Sequence, residues 1–490
     1  MLEKVQADRL AKLRQIEELG IDPYGRRYDT NEAVASVLAR YVDDQEGQSA
    51  DVAGRLVLMR DMGKMIFAHL RDESGQMQVA FRKNALDETG WQLAKLLDLG
   101  DLVACRGLLQ KSRTGEITVW ADTLTLLCKS LDPMPEKYHG LVDVETRYRR
   151  RYLDLMTNAE SLQRFRKRVA IVEHFRQTLN ARGFLEVETP VLQPIYGGAA
   201  ARPFTTHHNA LDADLFLRIS PELYLKRLLV GGLERVYEFS RNFRNEGLDT
   251  RHNPEFTLLE LYQAYSDYEG MMEVTETLVS SAAERVCGSM KLPYGDAEID
   301  FTPPWRRAKY ADLLAERAGV SMNDPAAVRA KACDLGLPEA DKDDAVVIND
   351  VFEELVEPEL IQPTFVMDYP AALCPLTRRH PDDASIALRF EAFVAGMEIA
   401  NAYTELNDPA VQEANFAQQV RGEEGETMRV MDEDFITALR HGMPPAGGLG
   451  IGMDRVVMLL TDTQSIRDVI LFPLLRPELR APSAGPDETV

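Results

Sequence analysis

Apolar residues between positions 51 and 128 come in short runs, each separated from the next by a turn that contains glycine. These runs have the length and composition of β-strands. They lie at residues 52–59, 65–70, 77–81, 102–108 and 117–127. Residues 84–98 have the spacing of a helix between the third and fourth runs, and residues 1–20 form a short amphipathic helix. The pattern predicts a five-strand barrel preceded by a helical extension.

From about residue 141 the pattern changes to long helices that alternate with strands. Apolar residues from Leu162 to Leu179 follow the three-and-four spacing of a helix face, and Gly183 ends that helix. The strand predicted next, at 184–189, is stopped by Pro190. Later strands are predicted at 215–219, 235–239, 256–262, 364–367, 388–400 and 446–451. Such a mixture predicts an α+β domain.

These patterns divide the chain into segments. They are a helical extension at 1–50, a barrel at 51–135, an α+β domain at 141–478 with a largely helical, acidic insertion at 268–350, and a disordered tail at 479–490. Five strands with a helix after the third suit an OB-fold, whose face and loops bind single-stranded nucleic acid. We therefore expect the smaller domain to bind nucleic acid and the larger one to carry the chemistry.

The net charge of −23 does not exclude a nucleic-acid partner. Residues 257–490 hold 19 basic and 42 acidic residues, so the acidity is confined to the C-terminal half. Binding depends on local patches, and 147–168 is the densest basic stretch, although a solvated helix face with salt bridges explains it equally well. No apolar run could span a membrane, no secretory signal is visible, and the five cysteines lie far apart, so we expect a cytoplasmic protein.

Two segments far apart in the chain each supply an arginine in a setting that suits polyphosphate. Arg244 follows a predicted strand in the segment 243–256. Arg455 begins a predicted helix that is approached through alternating glycines in the segment 448–455. Glycines let a ligand come near the backbone, a helix N-terminus favours anions, and arginine offers a rigid fork of donors for phosphate and carboxylate. Catalysis here is expected to come from positioning and electrostatics rather than from a protein nucleophile.

Together with Phe-Leu-Glu-Val-Glu-Thr-Pro at 184–190, these segments resemble motifs 1, 2 and 3 of the class II aminoacyl-tRNA synthetases. The resemblance covers nearly the whole chain and is strongest to the bacterial-type lysyl enzymes. It implies an N-terminal OB-fold β-barrel and a catalytic domain built on an antiparallel β-sheet flanked by helices. It implies a ligase that activates L-lysine with ATP and charges lysine tRNA, acts as a homodimer through motif 1, and has no membrane or DNA partner.

The resemblance also implies an ATP site. Arg244 and Arg455 would be the catalytic arginines, with Arg244 on the α-phosphate and the substrate carboxylate. Phe256 would stack on adenine, and Arg251 and His252 would meet the β- and γ-phosphates. Glu246 and Asn253 would help hold the nucleotide.

Magnesium is the cofactor that the resemblance implies, with Glu391 and Glu398 as its ligands and Glu391 also at ATP. Carboxylates together with phosphate oxygens suit this ion. The two residues are seven apart, so on one straight strand they would point to opposite faces, and a bend near Gly396 is needed to bring them together. Without the resemblance, two surface carboxylates would be the plainer interpretation.

The choice of lysine depends on acidic residues, because a buried ammonium without a partner costs several kcal/mol. The resemblance implies that Glu222 meets the α-amino group and that Glu260 and Glu405 flank the ε-ammonium. The other lysine-binding residues that it implies are Gly198, Arg244, Tyr262, Asn401 and Tyr403. Glu260 and Tyr262 share a strand face, as do Asn401, Tyr403 and Glu405.

For the barrel, the resemblance implies an anticodon site. Phe67 would stack on a base, Gln78 would hydrogen-bond to one, and Arg60 would be a third contact. Phe67 lies in an alternating strand, so a place in the barrel core is the alternative.

Three other functions compete with lysine–tRNA charging. The aspartyl and asparaginyl enzymes share the motifs, but a pocket with three glutamates argues against them. A paralogue that lysylates a protein would lack the barrel. A non-catalytic RNA-binding protein on this fold would be expected to lack Arg244 or Arg455, and both are present.

Overall fold

The computed structural model describes residues 2–29, 31–43, 45, 47–135, 141, 143–340, 342–421 and 431–477. The chain divides into two compact units, Met1–Leu141 and Val142–Val490. The tail predicted at 479–490 lies outside the described residues. In the described part of the chain, every helix is too short or too polar to cross a membrane.

The N-terminal unit contains a barrel with helices before it and within it. Its elements are α1 (Leu2–Glu18), α2 (Val34–Ala39), β1 (Ser49–Asp61), β2 (Met65–Arg71), β3 (Gln76–Arg82), α3 (Glu88–Leu96), β4 (Leu102–Lys111) and β5 (Ile117–Cys128). The strands close in the order β1-β2-β3-β5-β4, with β3 and β5 parallel and the other neighbours antiparallel. The predicted five-strand barrel with a helix after its third strand is confirmed.

Alternation along the strands builds the barrel core. On β2, Ile66, Ala68 and Leu70 are buried inside, whereas the residues between them point outwards. The N-terminal extension contributes to the same core through Ile16 on α1 and Val37 on α2. The extension and the barrel therefore share one hydrophobic core.

The C-terminal unit contains helices and strands in alternation. The helices are α4 (Val144–Arg149), α5 (Arg151–Thr157), α6 (Ala159–Ala181), α7 (Glu222–Val230), α8 (Tyr268–Cys287), α9 (Tyr310–Ala318), α10 (Pro325–Asp334), α11 (Asp344–Leu355), α12 (Pro409–Arg421), α13 (Glu433–Arg440), α14 (Met453–Leu460) and α15 (Ile466–Val469), with 3₁₀ turns at Glu357–Glu359 and Ala371–Leu373. The strands are β6 (Leu185–Glu186), β7 (Leu192–Gln193), β8 (Thr205–His208), β9 (Ala213–Leu217), β10 (Arg235–Phe243), β11 (Glu255–Ala264), β12 (Lys291–Tyr294), β13 (Ala297–Asp300), β14 (Arg306–Lys309), β15 (Thr364–Pro370), β16 (Ile386–Val394), β17 (Met397–Thr404) and β18 (Ala446–Gly452).

Eight of these strands form the main sheet, in the order β14-β15-β16-β17-β18-β11-β10-β6. Neighbours are antiparallel except at the two edges, where β14 pairs with β15 and β6 with β10 in parallel. Strands β7, β9 and β8 form a small separate sheet, and β12 and β13 a hairpin. The predicted α+β unit, built on a mainly antiparallel sheet with helices around it, is confirmed.

Three strand predictions need correction. The single strand predicted at 388–400 is two strands, β16 and β17, joined by a tight turn at Ala395 and Gly396, whose φ angles are +53° and +65°. The strand predicted at 184–189 is reduced to Leu185–Glu186, because only two residues pair with β10. The largely helical segment 268–350 also contains β12, β13 and the edge strand β14.

The two faces of the main sheet differ because successive strand residues point to opposite sides. One face is apolar, and Leu259, Leu261, Leu449 and Ile451 are buried there with residues of α8 and α14. The other face carries polar residues of β10, β11, β16 and β17, with glycines of β18 between them. The helices therefore leave the polar face available for a site.

Candidate active site

The polar face is organised in rows that cross the sheet. One row aligns Glu238, Glu260, Gly450, Asn401 and Glu391 on successive strands from β10 to β16. Directly opposed residues in antiparallel strands share a face and lie close together. Residues that are far apart in sequence therefore lie in one row, and several of them are the residues predicted to contact lysine or magnesium.

The next row aligns Tyr262, Gly448, Tyr403 and Arg389. A Cβ at Gly448 would overlap both Glu405 Oε1 and the Tyr262 ring, so only glycine fits there. A Cβ at Gly450 would meet nothing closer than 3.7 Å. The alternating glycines of β18 therefore make the floor of a pocket, and Gly448 gives space to pocket side chains rather than to the nucleotide.

Arg455 brings the second and third sequence motifs together. It lies in the first turn of α14, and its guanidinium donates to the Glu398 carbonyl oxygen at 2.7 Å. The guanidinium also contacts His252 Nε2 at 3.0 Å and Glu398 Oε2 at 3.3 Å. A predicted catalytic arginine, a predicted phosphate contact and a predicted magnesium ligand thus form one cluster.

Arg244 lies between the predicted nucleotide and lysine residues. Its guanidinium carbon is 5.1 Å from the centre of the Phe256 ring, which is a cation–π distance. Burial lowers its pKa, although the carboxylates of Glu246, Glu398 and Glu260 oppose that shift. Its Nε is buried without a hydrogen-bond partner. A buried donor aimed at no protein acceptor suits a residue that receives an anionic ligand.

The loop after Arg244 is ordered by Asp249, which the sequence patterns did not indicate. Its carboxylate accepts from the backbone N–H groups of Arg251 and His252 at 2.6 and 2.7 Å, and contacts His252 Nδ1 at 2.8 Å. The Arg251 guanidinium donates to the Gly396 carbonyl at 3.0 Å. The loop is therefore held against the β16–β17 turn.

Of the remaining predicted nucleotide residues, Asn253 is buried and Glu246 is exposed. Asn253 Nδ2 donates to the Glu255 carbonyl at 2.7 Å, whereas its Oδ1 is buried without a partner. Asn253 therefore keeps an acceptor available for a ligand.

Glu391 and Glu398 lie on one face because of the turn at 395–396 and an irregularity in the β16–β17 register. Glu391 accepts from Tyr369 Oη at 2.8 Å and pairs with Arg389, while Asn401 Nδ2 donates to Glu398 at 3.2 Å. Burial raises the pKa of Glu391 although Arg389 opposes the shift. Burial acts on Glu398 too, but Arg455 and other positive groups outweigh it and lower its pKa.

A further carboxyl, Glu357, lies near these two. Burial and then the neighbouring Glu391 and Glu353 raise its pKa to about 8. Among the described residues, no group of three His, Cys, Asp or Glu side chains is arranged to enclose a metal ion by itself. Two carboxylates with phosphate oxygens fit magnesium, which commonly takes one or two protein carboxylates plus substrate phosphates.

In the predicted lysine pocket, Glu260 is buried and contacts side chains of neighbouring elements. Ser220 Oγ donates to Glu260 Oε1 at 2.8 Å, and the Tyr262 hydroxyl lies 3.4 Å from Oε2. Burial and then Glu222 raise the pKa of Glu260 to about 8. Gly198 has a φ of +85°, and a Cβ there would lie 2.9 Å from Glu222 Cβ. Gly198 and Glu222 are therefore in direct contact at one end of the pocket.

An internal cation lies in this pocket, and the sequence interpretation missed it. Lys226 is fully buried, with its Nζ 2.6 Å from Glu222 Oε1 and 2.5 Å from Glu405 Oε2. The same Nζ is 5.4 Å from the centre of the Tyr403 ring. The i,i+4 spacing of Glu222 and Lys226 on α7 was the available signal.

Of the predicted anticodon residues, Arg60 is exposed and Phe67 partly exposed on the outer face of the barrel, whereas Gln78 is buried. Arg60 is opposite Phe67 on β1 and β2, and Phe67 makes an edge contact with Trp120 at 5.9 Å between ring centres. Phe67 is only partly buried and lies outside the barrel core, so the alternative that placed it in the core is wrong.

Gln78 is held by two neighbours that the sequence interpretation missed. Its Nε2 donates to Glu116 Oε2 at 2.7 Å, and its Oε1 accepts from Thr118 Oγ1 at 2.7 Å. The Arg82 guanidinium lies 5.0 Å from the Trp120 ring centre. Aromatic rings next to oriented polar groups are the usual composition of a surface for single-stranded nucleic acid.

The densest basic stretch is largely engaged inside the C-terminal unit. Arg147 and Arg151 both pair with Asp154, at 2.9 and 2.7 Å, and Arg168 pairs with Asp454 at 2.6 Å. These arginines therefore stabilise the fold, as the plainer interpretation of the stretch expects.

Comparison with known families assigns both units. The family described as tRNA synthetases class II (D, K and N) matches residues 143–476, and the family described as OB-fold nucleic acid binding domain matches residues 50–127. Among curated proteins, the chain is similar to proteins named lysine–tRNA ligase. One from Carboxydothermus hydrogenoformans is 50% identical over 96% of this chain and 97% of the relative. One from Moorella thermoacetica is 51% identical over 97% and 98%, and one from Staphylococcus epidermidis is 49% identical over 96% and 97%.

Proposed function

Because the chain belongs to the class II tRNA synthetases of the aspartate, lysine and asparagine group, we propose that it is a lysine–tRNA ligase. It activates L-lysine with ATP to lysyl-adenylate and then transfers the lysyl group to the 3′ end of lysine tRNA. Relatives named lysine–tRNA ligase, at about 50% identity over nearly the whole chain, support this assignment.

The observation that carries the choice of lysine is the buried carboxylate set of the pocket. Glu222, Glu260 and Glu405 are each no more than 5% exposed. Aspartate would bring a further negative charge among them and asparagine an uncharged amide, so either would leave buried carboxylates uncompensated, at a cost of several kcal/mol. An amino acid with a second ammonium group satisfies them.

In the first step, a carboxylate oxygen of lysine attacks the α-phosphorus of ATP and the bond to the β-phosphate breaks, so pyrophosphate leaves. Arg244 binds the lysine carboxylate and the α-phosphate, since it lies between the two sets of residues. Arg455 and His252 bind the outer phosphates, and Phe256 stacks on the adenine. No protein nucleophile takes part, and the arginines act by stabilising the charge that builds up on phosphate oxygens.

We propose that Glu391 and Glu398 hold magnesium at the phosphates. An ion held there would supply positive charge next to the triphosphate and next to the pyrophosphate that leaves. Burial raises the pKa values of Glu391 and Glu357, and the neighbouring carboxylates add to both shifts, so a cation at this place would be favourable. Arg389 and Tyr369 orient Glu391, and Asn401 orients Glu398.

We propose that the barrel binds the anticodon of the tRNA through Arg60, Phe67 and Gln78. The partly exposed Phe67 ring offers a stacking surface, and Gln78 is fixed in orientation by Glu116 and Thr118. Stacking of one base on an aromatic ring contributes about 1–3 kcal/mol.

We propose that two copies of the chain pair through the first motif, as in the family. Apolar side chains around this motif are exposed: Val169 on α6 is 69% exposed, Leu185 on β6 53% and Leu192 on β7 47%. A two-fold contact would bury each of them twice. Sedimentation at micromolar concentration tests this, and a stable, active monomer would contradict it.

The five cysteines are all free, which supports a place in the reducing cytoplasm.

The deciding experiment is ATP–pyrophosphate exchange measured with each of the twenty amino acids. Lysine should be the best substrate, norleucine should be poorer by about 10⁴-fold because it lacks the ε-ammonium, and ornithine should be weak because its ammonium is one methylene short. Preference for aspartate or asparagine would refute the lysine pocket while leaving the class assignment intact. Exchange with lysine but no charging of lysine tRNA would favour a ligase that modifies another acceptor.

A further inference from the structure

Lys226 places a permanent ammonium group inside the proposed lysine pocket. It is on α7, one turn after Glu222, and reaches across to Glu405 just beyond the end of β17. Its side chain is fully buried, so its charge is neutralised only by the pocket itself. Burial would lower its pKa, but Glu222 and Glu405 outweigh burial and the net shift is upward, so it stays charged.

The charges of the pocket can be counted from these contacts. Glu222, Glu260 and Glu405 are three potential negative charges, and Lys226 is one fixed positive charge. Two negative charges therefore remain for the substrate, which matches the two ammonium groups of lysine, while Arg244 is left to pair with the substrate carboxylate.

We propose that Lys226 is a positioning residue that sets the amino-acid specificity of the pocket. It neutralises one of the three carboxylates and crosslinks Glu222 to Glu405, so that the pocket accepts a substrate with two ammonium groups. This inference rests on the proposed function. Lys226 touches neither substrate nor ATP in this arrangement and acts through the two glutamates that it holds.

The groups that face Lys226 come from three elements, and all of them bear on its effect. Glu222 on α7 and Tyr403 and Glu405 at the end of β17 contact Lys226 directly, and Glu260 and Tyr262 on β11 act on it through Glu222 and Glu405. Burial raises the pKa of Glu405 to about 8 even with Lys226 beside it. Removing the ammonium therefore raises this pKa further, so Glu405 would keep its proton to a still higher pH and would be harder to ionise when lysine binds.

The test compares Lys226→Met with Lys226→Arg in lysine-dependent ATP–pyrophosphate exchange. Lys226→Met keeps the length of the side chain but removes the charge, and it should raise the KM for lysine by about 30-fold or more while changing the KM for ATP less than about twofold. The acidic limb of its pH profile for lysine kcat/KM should move to higher pH. Lys226→Arg keeps the charge and should recover most of the lysine affinity.

Lys129 provides a matched control. It too is fully buried, and its Nζ pairs with two carboxylates, Asp98 at 2.7 Å and Asp101 at 3.0 Å, but it belongs to the N-terminal unit. Lys129→Met should lower the thermal stability of that unit and leave the KM for lysine within about twofold of the wild-type value. Comparing Lys129→Met with Lys226→Met therefore distinguishes the general cost of losing a buried ion pair from a specific effect on lysine binding.

The double variant Lys226→Met/Glu405→Gln gives the sharpest result. In Lys226→Met alone, Glu405 is left as a buried carboxylate without its partner, which could prevent folding, and the double variant removes that carboxylate. Glu405→Gln alone leaves one negative charge for two ammonium groups, whereas the double variant again leaves two. The double variant should therefore bind lysine more tightly than Glu405→Gln alone. A cycle of variants measures this coupling directly.

Each outcome decides between the alternatives. Additive losses in the cycle, or a Lys226→Met protein with the wild-type lysine KM and pH profile, would overturn the inference. If the wild-type protein does not activate lysine at all, the proposed function itself fails. If it activates lysine and the double variant recovers affinity, the inference holds.

Discussion

The polar face of the main sheet and the outer face of the barrel both consist of alternate strand residues, but their side chains differ in chemical type and in burial. Both use alternate strand residues, with the other side of the strand in an apolar core. The sheet face holds buried carboxylates and arginines, several with shifted pKa values. The barrel face presents the partly exposed rings of Phe67 and Trp120, with the Arg82 guanidinium over Trp120 and the buried Gln78 amide held by Glu116.

The difference follows from what each surface has to do. Activation of an amino acid requires charge stabilisation, which is strongest where water is excluded. Recognition of unpaired bases requires exposed flat rings and oriented hydrogen bonds, which work at the surface. Changes on the sheet should therefore affect the adenylate step, and changes on the barrel should affect only the tRNA step.

Loss of Arg455 should give the largest effect. Arg455→Ala removes a charged contact to the phosphates in the transition state, which typically costs about 2.7–4 kcal/mol, or roughly 10²–10³ in rate. Pyrophosphate exchange should fall by this factor while tRNA binding is retained. Arg440→Ala, at an arginine whose side chain is 58% exposed, serves as the control. A decrease of less than a few-fold would show that Arg455 is not catalytic.

The pocket carboxylates should come next. Glu260→Gln and Glu405→Gln each remove a charged hydrogen bond worth roughly 1.5–3 kcal/mol, so the KM for lysine should rise by roughly 10- to 100-fold with little change for ATP. Glu269→Gln on the exposed side of α8 should leave both constants unaltered. Equal increases for lysine and ATP would indicate a general disturbance of the sheet.

On the barrel, Phe67→Ala should reduce charging of lysine tRNA by roughly 5- to 150-fold, the equivalent of about 1–3 kcal/mol of stacking. Pyrophosphate exchange should be spared, because that step takes place in the other unit. Phe81→Ala, at a ring fully buried in the barrel core, should instead lower the stability of the N-terminal unit. An equal loss in both assays would rule out a separate anticodon role for Phe67.

The magnesium requirement should depend on both Glu391 and Glu398, although their pKa values are shifted in opposite directions. Glu391→Gln and Glu398→Gln should each raise the magnesium concentration needed for half-maximal exchange, by roughly tenfold, because each removes a charged ligand. Glu359→Gln, on the exposed side of the adjacent 3₁₀ turn, is the matched control. Titration curves that coincide with the wild-type curve would exclude both residues as ligands.

The pH dependence of lysine binding should show the smallest effect. Glu260 and Glu405 have pKa values of about 8 in the pocket without substrate, so each holds a proton below that pH. A lysine ammonium prefers the ionised carboxylates, so the KM for lysine should fall as pH rises to about 8 and then level off. The change should be roughly three- to tenfold per pH unit and smaller in Glu260→Gln. A KM that does not vary below pH 8 would contradict these shifts.

The barrel and the pairing of Glu260 with Tyr262 were predictable because they depend on alternation along single strands. The relation of Glu391 to Glu398 was predictable only in part: a bend near Gly396 was expected as the condition for bringing them together, but a continuous strand and a hairpin give the same apolar pattern over 388–400. The positive φ at Ala395 is unusual for a residue with a side chain, and nothing in the local sequence indicates it. Only the pairing of β16 with β17 shows that the chain reverses there.

The side chains that contact the predicted residues could not be predicted from the sequence either. Trp120 lies 53 residues after Phe67 and Glu116 lies 38 residues after Gln78, and only the closure of the barrel places them side by side. Asp249 looks like an ordinary loop carboxylate until its hydrogen bonds to the backbone of 251 and 252 are seen.

The sequence predicted the two units and the class of the larger one, and it singled out the two arginines proposed to be catalytic and the acidic character of the amino-acid pocket. Each of these is carried by residue types at short fixed spacings, which survive without coordinates. Tertiary structure alone decided that Gly448 makes room for Glu405 and that Lys226 bridges two of the three pocket glutamates. Charge balance in a buried site depends on distances between residues that are remote in sequence, because Coulomb interactions follow space and burial rather than chain position.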